Sequence, residues 1–282
     1  LEISQPVRTI DELLVETCQA LFRSKKDGKN QVYYSDQAGF GANKAAGPLS
    51  TGIVARLLTP EIFRTVKQPL VRLADNAVIG YEFLSRSTAV GFEMPNDFFR
   101  VALQNNILTV VDHKCFRAAL GAVAELDTDQ RYHINLFPST LLDIDVEGLF
   151  GDWVKKPGKG TICIEISEQQ IIGDPSYLIE RVSALKKIGI SIAIDDVGFG
   201  RSCFESLILL DPDYIKIDKR CVQGIGRDPS SLRLLQRMLN VAGALNTAVI
   251  AEGIETVEDL EALKTLGVPY GQGFFWGEVP SA

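Results

Sequence analysis

The sequence predicts an α/β fold: a TIM-like (β/α)8 barrel with one antiparallel strand. Three observations lead there. From Glu61 onward, short apolar runs alternate with helical patterns over ~220 residues, as in a mostly parallel sheet. Eight runs have strand character, the number that closes a barrel. Most of these runs also carry an out-of-place polar residue towards the C-terminal end, where barrel sites are assembled.

Residues 1–35 read as the remnant of another unit. Leu13, Leu14, Thr17 and Leu21 have helical spacing, Gly28 is a stop, and Gln31-Val-Tyr-Tyr34 is a short strand. One helix and one strand cannot form a core alone. Residues 36–60, Gly- and Ala-rich at first and poorly periodic, read as a linker, and 61–282 as the barrel domain.

Within the barrel, Pro69–Leu73 and Ala77–Leu84 flank Ala74-Asp-Asn76, which predicts a hairpin and hence the antiparallel strand. The remaining strands are Tyr132–Phe137, Thr161–Ile166, Ile190–Ile194, Tyr214–Ile217, Ala248–Ala251 and Tyr270–Phe275. Helical patterns fill most gaps: Asp97–Leu126, Pro175–Ile188, Ser230–Leu245, and a last helix opened by the capping-box variant Thr256-Val-Glu-Asp259.

The net charge of −7 argues against coating a nucleic acid polymer. Five cysteines without paired spacing indicate reduced thiols in a cytosolic setting. No apolar run approaches the ~20 residues of a membrane span, so this segment has no membrane contact of its own. Starting at Leu1, it reads as part of a longer chain, with an upstream regulatory domain expected and a membrane anchor or sensor there left open.

The polar residues of the strands are Glu82, Asn135, Glu165, Asp195, Lys216, Glu252 and Gln272. Strand parity sets Glu165 opposite Ile162, Ile164 and Ile166; Lys216 opposite Ile215 and Ile217; and Asp195 opposite Ile190, Ile192 and Ile194. If the branched faces meet the outer helices, the polar set points inward. Glu82, Glu165, Asp195, Asp196 and Glu252 then converge, and each like-charge pair at about 4 Å repels by ~4 kcal/mol at an effective dielectric of about 20. One lysine cannot offset that. Either some acids stay protonated, or divalent cations bind; oxygen donors without paired His or Cys favour Mg²⁺ or Mn²⁺, with Ca²⁺ as an alternative. The competing reading for each acid is a helix cap or a buried salt bridge.

These residues also carry a resemblance. Gln68-Pro69, Glu82-Phe-Leu-Ser-Arg86, Asn135, Glu165-Ile-Ser-Glu168, Asp195-Asp-Val-Gly198, Tyr214-Ile-Lys-Ile-Asp218, Glu252-Gly-Ile-Glu255 and Gln272-Gly273 stand in the order of the motifs of EAL-domain cyclic di-GMP phosphodiesterases. The span from about Phe63 to Pro280 resembles that family. The resemblance implies a barrel hydrolysing cyclic di-GMP to linear pGpG with two Mg²⁺ or Mn²⁺ ions. Glu82, Asn135, Glu165 and Asp195 would bind the first metal, and Asp195, Asp196 and Glu252 the second. Lys216 would orient or deprotonate water, with Glu252, Glu168 and Glu255 assisting; Glu168 and Glu255 would steady the loop after Asp196 or pair with Lys216. Arg86, Gln272, Gln68 and Leu84 would contact substrate. A homodimer is also implied. Residues 1–35, with Ala20-Leu-Phe22 and Lys25-Lys-Asp-Gly-Lys-Asn30, resemble the end of a GGDEF domain.

Phe83 departs from the motif but turns away from the centre. Phe199 and Arg201 depart in the loop after Asp196, a loop the family associates with metal coordination and dimer contacts. Two competing functions are a cyclic di-GMP receptor without turnover and a metal-assisted lyase acting on a phosphorylated metabolite. His113, His133, Cys163 and the basic loop Lys155–Lys159 are read as structural or solvated.

Overall fold

The computed structural model describes residues 48–277 except 127–128, 147, 151–159 and 199–202. The expected remnant at 1–35, Phe199, Arg201 and the Lys155–Lys159 loop lie outside these residues. Two compact units are present: the described residues up to Ile62 with Ser87–Val111, and Phe63–Arg86 with the described residues from Asp112 onward.

The larger unit is the barrel. Eight strands close in sequence order: β1 (Phe63–Arg72), β2 (Ala77–Ser87), β3 (Arg131–Asn135), β4 (Thr161–Ser167), β5 (Ser191–Val197), β6 (Tyr214–Ile217), β7 (Ala248–Ala251) and β8 (Tyr270–Gly271). Neighbours from β2 to β8 run parallel, and β1 meets β8 antiparallel through Val71↔Gly271 and Arg72↔Tyr270. The reversal is made at the turn before Ala77, where Asn76 takes φ 56° and Asp75 caps the Ala77 N–H. Asn tolerates this left-handed conformation because its short polar side chain bonds locally.

The parity argument holds in the barrel wall. Ile162, Ile164, Ile166, Ile192, Ile194, Ile215 and Ile217 are all buried in one apolar cluster with Leu185, Val182, Leu207 and Leu235 from the surrounding helices. The opposite faces point inward and carry Glu165, Asp195 and Lys216 beside the small residues Cys163 and Ala193. Helix Pro229–Ala244 starts on Asp228, whose carboxylate accepts from the Ser230 and Ser231 N–H groups, and helix Val257–Thr265 starts on Thr256, whose hydroxyl accepts from Asp259 N–H.

In the smaller unit, helix Pro48–Leu57 packs against helix Pro95–Gln104, which buries Phe98 and Ala102. The sequence reads as one helical stretch over Asp97–Leu126, but the structure has two helices, Pro95–Gln104 and Leu108–Ala124. The break is at Asn106, in the left-handed region at φ 56°, where Ile107 N–H reaches Ala102 O and Asn106 N–H reaches Leu103 O. Those two bonds are the Schellman closure of a helix C-terminus. A six-residue helix, Pro138–Asp143, follows β3 without having been expected. β8 is shorter than its apolar run because the chain turns at Gly273.

Candidate functional site

Lys216 is the centre of the barrel mouth. It is fully buried on β6, and its Nζ lies 2.8 Å from Glu165 Oε2, 2.9 Å from Glu252 Oε1, 3.1 Å from Glu82 Oε2 and 3.6 Å from Asp195 Oδ1. Those acids come from β4, the end of β7, β2 and β5. Glu252 and Gln272 stand one residue past their strands, yet the sheet still holds them: Glu252 N–H bonds Ile217 O and Gln272 N–H bonds Ala251 O.

Amide side chains complete the ring. Asn135 Nδ2 donates to Glu82 Oε1 at 2.8 Å, and Gln272 Nε2 to Glu82 Oε2 at 2.7 Å and Glu252 Oε1 at 3.1 Å. Burial opposes the Glu82 charge, but the Lys216 ammonium and these amide donors outweigh it and hold the carboxyl down to about 2. The other acids shift the opposite way. Burial and then the Glu82 charge push Glu165 well above the carboxylate range; burial raises Asp195 to about 6 and Glu252 to about 8 against the pull of Lys216. Burial alone would neutralise Lys216, yet Asp195, Glu165, Glu252 and Glu82 keep it strongly basic.

Asp195 and Asp196 are adjacent on a strand, so simple parity sends them to opposite faces. The structure brings both to the mouth. Register with β6 slips between Ile194 and Val197, and Asp196 takes φ 61°. This bulge turns the chain so that single oxygens of Asp195, Asp196 and Glu252 lie within 4.8 Å of one another. Ser167 Oγ fixes Asp196 Oδ2 at 3.0 Å, and Asp196 N–H bonds Asp195 Oδ1 at 2.7 Å. Ser167 went unnoticed in the sequence beside the acids of its motif.

Arg86 is buried at the end of β2. Its terminal nitrogen donates to Ser85 O at 2.9 Å, while Nε has no hydrogen-bond partner among the described residues. Leu84 shares its strand parity, and both Leu84 and Gln68 are half-buried. Glu168 is buried in a single 3₁₀ turn directly after β4. Glu255 does not reach Lys216. It is exposed and accepts from Gln223 Nε2 at 3.0 Å, because the chain leaves β7 through Gly253 at φ 67° and turns Ile254 inward. Of the two roles expected for Glu255, steadying the loop after Asp196 or pairing with Lys216, the pairing is not made among the described residues, where Glu252 is the glutamate of this motif that reaches Lys216.

His133, read as structural, lies below the acids on β3. Its Nδ1 is 2.8 Å from Glu165 Oε1, and burial and then the Lys216 charge depress its pKa to about 3, so the ring is neutral.

The donor set fits hard divalent cations. It offers carboxylate and amide oxygens only, and burial raises the carboxyls of Glu165, Asp195 and Glu252, a shift that a bound cation would oppose.

The family description "EAL domain" matches residues 54–279. An uncharacterized signaling protein of Caulobacter vibrioides is 28% identical over 278 residues, 96% of this chain and 34% of that protein. TpdA of Vibrio parahaemolyticus, named a cyclic di-GMP phosphodiesterase, is 27% identical over 76% of this chain and 36% of its own length. The chain thus spans about a third of such curated relatives. Among solved structures, the EAL enzyme Bd1971 with cAMP and cyclic di-GMP bound superposes with a TM-score of 0.73 at 24% identity, covering 97% of this chain and 74% of that one. The Klebsiella pneumoniae BlrP1 calcium and cyclic di-GMP complex gives 0.68 at 24%, covering 82% and 64%. At these identities the likeness is one of fold. Taken with the match over residues 54–279, it follows that this chain belongs to the EAL domain family, whose curated members include cyclic di-GMP phosphodiesterases.

Proposed function

We propose that this chain hydrolyses cyclic di-GMP to linear pGpG with Mg²⁺ or Mn²⁺ held at the barrel mouth. One observation carries the reading: a single buried lysine touches four carboxylates, leaving an excess of negative charge in one cup. Glu82, Asn135, Glu165 and Asp195 would hold one cation, and Asp195, Asp196 and Glu252 a second. Such cations, when bound, lower the pKa of an attacking water and offset charge on a phosphodiester oxygen.

The chain's own groups supply the rest. Lys216, kept charged by its acid partners, holds a proton next to the site of attack. Arg86 has an unspent Nε donor for a phosphate oxygen, and Leu84, two residues before it on β2, and Gln68 on β1 would add substrate contacts. Gln272 fixes Glu82 and Glu252 relative to each other. Glu168, immediately after β4, and Glu255, anchored through Gln223, would support the neighbouring loops. The water oxygen bonds to phosphorus, one P–O3′ bond breaks, and the departing oxygen takes a proton. One of the two phosphodiester links opens, which leaves pGpG.

The reading is supported further by relatives named cyclic di-GMP phosphodiesterases, and by a BlrP1 structure whose title names manganese with cyclic di-GMP. The test is chromatography of cyclic di-GMP incubated with the protein and Mg²⁺ or Mn²⁺. Formation of pGpG is expected. Tight nucleotide binding without product would make the chain a receptor instead.

A further inference from the structure

We propose that His133 is a positioning residue: its Nδ1–H holds Glu165 Oε1 so that Glu165 Oε2 stays aimed at Lys216 and the acid cup. This rests on the reading of that cup as a cation site.

The geometry is specific. His133 is 1% exposed and Glu165 likewise 1%. They sit on adjacent strands, offset by two residues in register, with His133 facing Cys163 and Asn135 facing Glu165. Nδ1 is 2.8 Å from Oε1, and the other carboxylate oxygen is 2.8 Å from Lys216 Nζ. Glu165 is therefore gripped at both oxygens and cannot rotate without breaking one contact.

The ring itself is held from below. Tyr214 packs edge-to-face against it at 5.5 Å between centroids, and Tyr214 in turn meets Tyr270 at 6.4 Å. The Arg131 guanidinium lies over both tyrosines, 5.5 and 5.1 Å from their ring centres. A stacked layer beneath the cup thus sets the imidazole plane, which sets the carboxylate.

Hydrogen-bond accounting gives the tautomer. His133 Nε2 is buried with no partner among the described residues. A carboxylate only accepts, so the ring nitrogen 2.8 Å from Glu165 Oε1 must donate and the unpartnered Nε2 carries the lone pair. The proton therefore belongs on Nδ1, with Glu165 accepting from both His133 and Lys216. A histidine that satisfies only one nitrogen in a sealed core is explained by the bond it makes, not by packing.

The experiment measures cation affinity by calorimetry, without nucleotide, for the whole chain and two variants. His133→Phe keeps the ring and should melt near the parent temperature, yet bind Mn²⁺ roughly 10-fold more weakly, within the range for loss of a group that orients a ligand. His133→Asn, whose amide N–H can replace Nδ1–H, should recover most of that loss. The sequence has only two histidines, so a ¹⁵N-imidazole spectrum, assigned with His113→Gln, reads the tautomer directly with Mg²⁺ present. Nδ1 protonation is expected. Parental affinity in a folded His133→Phe, protonation on Nε2, or a parent that binds no divalent cation would each overturn the proposal. A parent that binds cation but yields no pGpG would overturn the hydrolase reading alone, and the affinity comparison would still decide this one.

Discussion

Glu82 and Gln272, 190 residues apart in sequence, are joined by a 2.7 Å bond from Nε2 to Oε2 across the closure of the barrel. Glu82 is also the acid whose charge is best supported, by Lys216, Gln272 and Asn135 together. It is therefore the permanent anion of the cup. Glu82→Ala is expected to fold, since Lys216 keeps three other partners, and to lose turnover by ~100-fold or more, the upper range for a metal-site partner. Thermal melting and the rate of pGpG formation check both halves; an unchanged rate removes Glu82 from the site.

Lys216 gives the converse test. Removing one partner of a buried charge set leaves uncompensated charge, typically ~3–5 kcal/mol. Lys216→Met should therefore lower stability by about that amount in chelator, and added Mg²⁺ should restore part of it by binding the native acids. Denaturant unfolding with and without the cation measures this. Equal stability of variant and parent in chelator would show that the acids need no counter-charge.

At Asp196 backbone and side chain can be separated. The left-handed conformation at φ 61° costs a residue with a Cβ ~1–2 kcal/mol unless its side chain bonds locally. Asp196→Gly should be more stable than Asp196→Ala by ~1 kcal/mol. Both lose the carboxylate and should lose cation binding alike. If glycine restored cation affinity, the carboxylate would have no part in holding the ion.

Asp112 should make stability depend on pH. It is buried on the helix Leu108–Ala124, accepts from Phe137 N–H at 3.0 Å and faces Thr140 and Cys115. Burial pushes it up to about 7 from the ordinary aspartate value of 3.8. Between about pH 4 and pH 7 the unfolded chain has released this proton while the folded chain keeps it, so stability falls as pH rises through that window, by roughly 4 kcal/mol in total. Asp112→Asn has no such proton to lose. Its stability relative to the parent should therefore climb from about pH 4 to about pH 7 and then level off. Parallel curves from urea unfolding at several pH values would contradict this.

Much of this protein was legible from residue order alone. Period-two isoleucines such as Ile162, Ile164 and Ile166 set the barrel wall, because a strand free of bulges alternates its faces. The same parity turned Glu165 and Lys216 inward, and Ala74-Asp-Asn76 announced the reversal before β2. The tertiary structure alone decided three things. A bulge and a left-handed φ put Asp195 and Asp196 on one side, which no strict alternation allows. Glu252, not Glu255, reached Lys216, because the chain turned at Gly253. His133 acquired its purpose from Glu165, thirty-two positions later. Local sequence fixes which way a side chain leaves its own strand; which partner waits there depends on barrel closure, shear and turn geometry, and these belong to contacts between distant segments.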